Sequence, residues 1–130
     1  MEAHLLHPAW VHFPIAFLLL GLALELGGRR EDARALLWLG SAALWVAVGL
    51  GLLAEKYAEH VPKAWKTLER HEELAYWTAG VFTALSLWRW RSAEKRPWFM
   101  AGWGLAAALL LNTAYHGGEL VFAFGMGVKP

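Results

Sequence analysis

The chain has 130 residues, enough for one domain, and 58% of them are hydrophobic, with 9 Trp. Cysteine is absent, which excludes disulfide frameworks, thiolate zinc sites, cysteine-ligated iron–sulfur clusters and c-type haem attachment. A formal net charge of +1 provides no basic footprint for nucleic acid and indicates no strongly acidic partner.

This composition predicts an integral membrane protein with four apolar runs. The first runs from about Pro8 to Leu26 and is stopped by Gly27-Gly28-Arg29-Arg30-Glu31-Asp32. It lacks a basic n-region and exceeds the h-region of a signal peptide, so it reads as a retained span. The second, Ala35 to Ala54, carries no charge. Then Tyr57, Val61, Trp65 and Leu68 recur at helical steps, which predicts an amphipathic surface helix beginning near Pro62 or an extension of the third helix.

The third run, Leu74 to Trp88, widens to about 72–90 through snorkelling Arg89 and the interfacial rings of Tyr76 and Trp77. The fourth begins at Pro97, well placed at a helix start, and reaches about residue 116. Gly117-Gly118 is expected to end it, leaving a short strand-like segment and a glycine-rich C-terminal cap. About twenty residues cross a bilayer, so the expected fold is all-α. It is one domain over 1–130, a four-transmembrane-helix up-down-up-down bundle with helices at about 8–26, 35–54, 72–90 and 97–116.

Small residues at helical spacing let backbones approach in such a bundle. Ala43, Ala47 and Gly51 form one stripe, and Gly104, Ala108, Asn112 and His116 form another. Trp10 and Trp65 on one side, with Trp88, Trp90 and Trp98 on the other, fit aromatic belts; Trp45 and Trp103 read as core or lipid-facing bulk.

Orientation follows from the distribution of Lys and Arg. The loops after the first and third helices carry Arg29, Arg30, Arg34, Arg89, Arg91, Lys95 and Arg96, against Glu25, Glu31, Asp32 and Glu94. The other side carries the smaller set Lys56, Lys63, Lys66, Arg70 and Lys129, with the acids Glu2, Glu55, Glu59, Glu69, Glu72, Glu73 and Glu119. The two basic loops are therefore expected inside a bacterial cytoplasmic membrane, with both termini out.

All the histidines, His4, His7, His12, His60, His71 and His116, then fall on the outer side. Counted from Arg29, Arg89 and Arg96 at 1.5 Å per residue, His12, His71 and His116 rise to roughly 26, 27 and 30 Å, a common level. His7 is five residues from His12, a turn of about 140°, so the two face one ligand only if Pro8 or Pro14 bends the chain. A single interfacial histidine is ordinary; three helices bringing one to the same depth suggest a shared ligand.

One candidate ligand is b-type haem, held by axial imidazoles from facing helices. Its ligands would come from His12, His71 and His116, with His7 as a further candidate. Gly104 and Ala108 would leave room for the macrocycle, and Asn112 or Trp77 would touch its edge. A second candidate is a bare copper, zinc or iron ion on His7, His12, His71 and His116, with Glu119 or Glu72 as an added oxygen ligand or outer acceptor. A third is a proton or quinone site. A non-catalytic assembly subunit with merely interfacial histidines is the remaining class.

His7-Pro8-x-x-x-His12-Phe13-Pro14-Ile15-Ala16, together with His116-Gly117-Gly118-Glu119-Leu120-Val121-Phe122 and Gly125-Met126-Gly127-Val128, resembles a bacterial membrane family, domain of unknown function 2231. The likeness spans essentially the whole chain. It implies a four-helix membrane protein and, because some members are joined to cytochrome-type or iron–sulfur modules, electron transfer. Recurrent histidines of that family match His7, His12, His71 and His116, while Phe122 stands where its pattern often has Tyr. The implied partners are the lipid bilayer, a periplasmic or membrane redox partner and, in a homo-oligomer, further copies of the chain. His12 and His71, each followed by a basic loop at similar distance, also suggest two hairpins of parallel plan.

Overall fold

The computed structural model describes residues 3–91 and 96–127. Glu2, Glu94, Lys95, Val128 and Lys129, used in the readings of charge and motif above, lie outside the described residues. Within them the architecture is all-helical, four helices with no strand. The first is divided into α1 (Leu6–Trp10) and α2 (His12–Leu26), and is followed by α3 (Arg30–Tyr57), α4 (Trp65–Arg91) and α5 (Arg96–Phe122). By length and composition, Leu6–Leu26 and Arg30–Tyr57 are apolar enough to cross a membrane.

The division at Val11 has a local cause. Pro14 has no N–H to offer the Trp10 carbonyl, and the next bond, Ile15 N–H to Val11 O, is stretched to 3.4 Å. Gly28, at φ +81°, ends α2 in a left-handed turn that a side chain would strain. There Arg29 N–H closes on Leu24 O at 2.8 Å, the bond of a Schellman cap.

Consecutive helices are neighbours, and α2 also meets α5, which closes the bundle. Its centre is Leu18, Leu37, Leu44, Phe82, Phe99 and Trp103, with Ala33, Ala79 and Ala106 filling the narrow places. Trp103 is core, its Nε1–H donating to Leu18 O at 3.2 Å, whereas Trp45 is exposed and donates to Thr83 Oγ1 at 2.8 Å. Two glycines set the close approach: a Cβ on Gly40 would stand 2.5 Å from Leu18, and one on Gly21 would stand 2.9 Å from Trp103.

Three helix ends depart from the sequence expectation. α3 begins at Arg30 because Arg29–Asp32 and Arg34–Glu31 pairs one turn apart support its first turn. Of the two readings of the segment near Pro62, extension of the third helix is the one seen: a 3-10 turn, Pro62–Ala64, runs directly into Trp65, so α4 starts ahead of residue 72. α5 passes through Gly117-Gly118 to Phe122, so among the described residues no strand-like segment follows; Val61, Phe124 and Met126 pack on Ala64, Leu68 and Leu120 and hold its last turn.

At the end where α2 meets α3, a charged lock joins the elements. Glu25 is fully buried, with Arg89 3.4 Å from Oε2, and with Arg96 at 3.6 Å and Arg30 at 3.9 Å from Oε1. Arg96 also donates to the Glu25 carbonyl at 2.7 Å, and Arg89 to the Arg30 carbonyl at 3.1 Å. The histidines gather at the other end.

Candidate functional site

The stripe Ala43, Ala47, Gly51 on α3 faces α1, because Trp10 Nε1–H donates to Ala43 O at 3.0 Å and His7 Nδ1–H to Ala47 O at 2.8 Å. The His7 ring lies against Gly51, where a Cβ would come within 3.2 Å of Cε1. On the other hairpin the same plan recurs. His71 of α4 uses Nδ1–H on Thr113 O at 2.9 Å, and its ring lies against Gly117, where a Cβ would come within 2.9 Å of Cε1. In both hairpins the accepting carbonyl precedes the glycine by one helical turn, so each imidazole is seated by one Ala/Thr-x-x-x-Gly step.

The two rings meet between the hairpins, their centroids 6.2 Å apart and their planes at 76°. With Nδ1 carrying the proton given to a backbone carbonyl, Nε2 keeps its lone pair and is the coordinating or accepting atom. Beneath His71, Thr78 and Thr113 share a buried hydroxyl–hydroxyl bond of 2.7 Å, and Thr113 Oγ1 donates to Leu109 O at 2.9 Å. This network ties α4 to α5 beside the carbonyl that holds His71.

The remaining sequence candidates lie around this pair. His116 is half-buried, with Nδ1 donating to Glu119 Oε2 at 2.8 Å and Tyr115 edge-on at 5.5 Å. It stands next in sequence to Gly117, on which His71 rests. His12 is exposed, with Nδ1 3.3 Å from Ala9 O, because the break at Val11 leaves His7 rather than His12 turned inward. Gly104, Ala108 and Asn112 are exposed on the outside of α5. His60 stacks on Trp65, and His4 lies 3.8 Å from the position of a Cβ on Gly127, where the tail passes the mouth. Among the described residues no group of three or more His, Cys, Asp or Glu is arranged to hold a metal ion.

A family model described as "Predicted membrane protein (DUF2231)" matches residues 3–130. The chain belongs to this family. No curated protein and no solved structure matches it. Of the candidate histidines of this DUF2231 chain, His7 and His71 are brought together. His116 stands behind them and His12 outside. Sequence reasoning passed over the Ala47 and Thr113 carbonyls, since any residue supplies one; the available signal was a small residue one turn before Gly51 and before Gly117.

Proposed function

We propose that this chain is a four-span protein of the bacterial cytoplasmic membrane that holds b-type haem between His7 and His71 and transfers electrons at the outer face. The observation that carries this reading is the pair of imidazoles 6.2 Å apart, each held through Nδ1 by a backbone carbonyl. His7 and His71 would hold the haem iron through their Nε2 atoms, since each Nδ1 is engaged with a backbone carbonyl.

A haem iron takes four ligands from the macrocycle and only one or two from the protein. A bare ion in the protein alone needs three or four. The site therefore fits haem better than copper, zinc or an isolated iron, since no group of that size stands among the described residues.

Bound there, haem supplies one-electron chemistry. His7 and His71 hold it from opposite hairpins, the carbonyls of Ala47 and Thr113 fix each imidazole's tautomer, and Gly51 and Gly117 leave the rings their space. Val61, Phe124 and Met126 pack on Ala64, Leu68 and Leu120 at the same end. The orientation rests on Arg29, Arg30, Arg34, Arg89, Arg91 and Arg96, at the end away from the histidine pair, since cytoplasmic loops hold the excess of basic residues.

The test is an oxidised and dithionite-reduced visible spectrum of the detergent-purified protein, with elemental analysis of the same sample. A Soret band with sharp reduced bands and iron in proportion supports the reading. A featureless spectrum with bound metal replaces it by an ion site. Neither signal, in cells supplied with both, leaves an assembly subunit.

A further inference from the structure

The basic end of the bundle carries more positive charge than its acids neutralise. In sequence, the stretches that meet there hold seven Lys and Arg against four Asp and Glu, a net of +3. Three of those acids are already engaged: Glu25 is fully buried among Arg30, Arg89 and Arg96, while Glu31 and Asp32 pair with Arg34 and Arg29.

Two of the guanidiniums around Glu25 open outward. Arg30, at the start of α3, and Arg96, at the start of α5, approach the same Oε1 at 3.9 and 3.6 Å, so they are neighbours. Each side chain is nevertheless 38% exposed, whereas that of Arg89 is 7% exposed. Glu25 therefore acts as an inner anchor that holds two cations side by side at the surface. Arg34, one turn on from Arg30, adds a third, 43% exposed and 5.3 Å over the ring of Trp38. Trp38, Trp90 and Trp98 are all exposed at this end. Exposed tryptophan marks the headgroup level of a bilayer, which puts these cations where phospholipid phosphates lie.

We propose that this end binds the headgroup of an anionic phospholipid, its phosphate bridging Arg30 and Arg96, with Arg34 beside them and the acyl chains against the exposed tryptophans. The fork of a guanidinium matches two phosphate oxygens, and two forks from different helices hold one phosphate from both sides. A zwitterionic headgroup brings its own cation and relieves less of the excess charge. Free phosphate has no chains to lay on the tryptophan rings. The inference goes beyond the haem reading and does not depend on it.

The experiment takes the full chain in neutral detergent, adds equal amounts of phosphatidylglycerol and phosphatidylcholine with identical acyl chains, and counts the bound lipids by native mass spectrometry. Phosphatidylglycerol should be retained at least about tenfold over phosphatidylcholine, and less so as salt is raised. Arg30→Gln and Arg96→Gln should each cut that preference about fivefold. Either change leaves two arginines on Glu25; Arg34→Gln leaves all three and serves if the others do not fold. Glu31→Gln, which removes a competing carboxylate from Arg34, should raise the preference. Equal retention of the two lipids by the unaltered chain overturns the proposal, as does a preference indifferent to the arginine substitutions that fold. Displacement of the lipid by excess inorganic phosphate also overturns it, since the ligand would then be the free anion.

Discussion

The imidazole of His7 meets that of His71 across the bundle, ring centroid to centroid at 6.2 Å, although 64 residues separate them in the chain. Each is seated against a glycine on the second helix of its own hairpin, so the pair joins two similarly built halves. Five predictions follow from this arrangement, the contacts that hold it and the orientation of the chain.

Gly117 and Gly51 should differ in their tolerance of a methyl group. A Cβ at Gly117 would come within 2.9 Å of His71 Cε1, while one at Gly51 would come within 3.2 Å of His7 Cε1. Overpacking costs about 1–3 kcal/mol, and Gly117→Ala should lie toward the upper part of that range, with Gly51→Ala below it. Thermal unfolding in detergent gives the ranking, and equal melting temperatures would contradict it.

Glu25 should be the most sensitive carboxylate in the chain. It is fully buried with Arg89, itself 7% exposed, and with Arg30 and Arg96 close by. Glu25→Ala leaves buried guanidinium charge without its counter-ion, a loss of about 3–5 kcal/mol. Its melting temperature should fall well below that of Glu31→Ala, whose partner Arg34 is 43% exposed.

The Thr78–Thr113 bond tests how α4 is joined to α5. Either single change to Val removes one hydroxyl from a bond of 2.7 Å, while the remaining hydroxyl keeps a carbonyl of its own helix one turn back. Each single variant should lose about 1 kcal/mol, and the double variant should lose less than the sum. A strictly additive double-mutant cycle would show that the hydroxyls do not cooperate.

Much of this architecture was legible because its signals are local. The apolar runs and the motifs around His7-Pro8 and His116-Gly117 gave four helices and the family, whose match extends over residues 3–130. Helix ends were less legible, because charge reads as loop: Arg30 to Arg34 is helical through its i,i+3 pairs, and Gly117-Gly118 is helical although glycines usually stop a helix. That His71 and His116 stand at one end of the bundle was legible from the rise per residue. The facing of the histidines was not, since it depends on the interruption at Val11, which turns His7 rather than His12 toward Ala47. The burial of Glu25 was also invisible, because the arginines around it come from three separate places in the chain.

Orientation can be tested on a clean background, since the chain contains no cysteine. Cysteine placed at His60 should react with an impermeant thiol reagent added to intact cells, and cysteine placed at Arg29 should react only after lysis. The opposite pattern would invert the membrane orientation.

The central claim is tested most directly by the reduced-minus-oxidised visible spectra of His7→Ala and His71→Ala, recorded beside His12→Ala and His116→Ala under identical haem supply. The account predicts that the first two lose the low-spin bands, while His12→Ala keeps them unchanged and His116→Ala keeps them with at most a small shift. Bands that survive both His7→Ala and His71→Ala, or that vanish with His12→Ala, would contradict it.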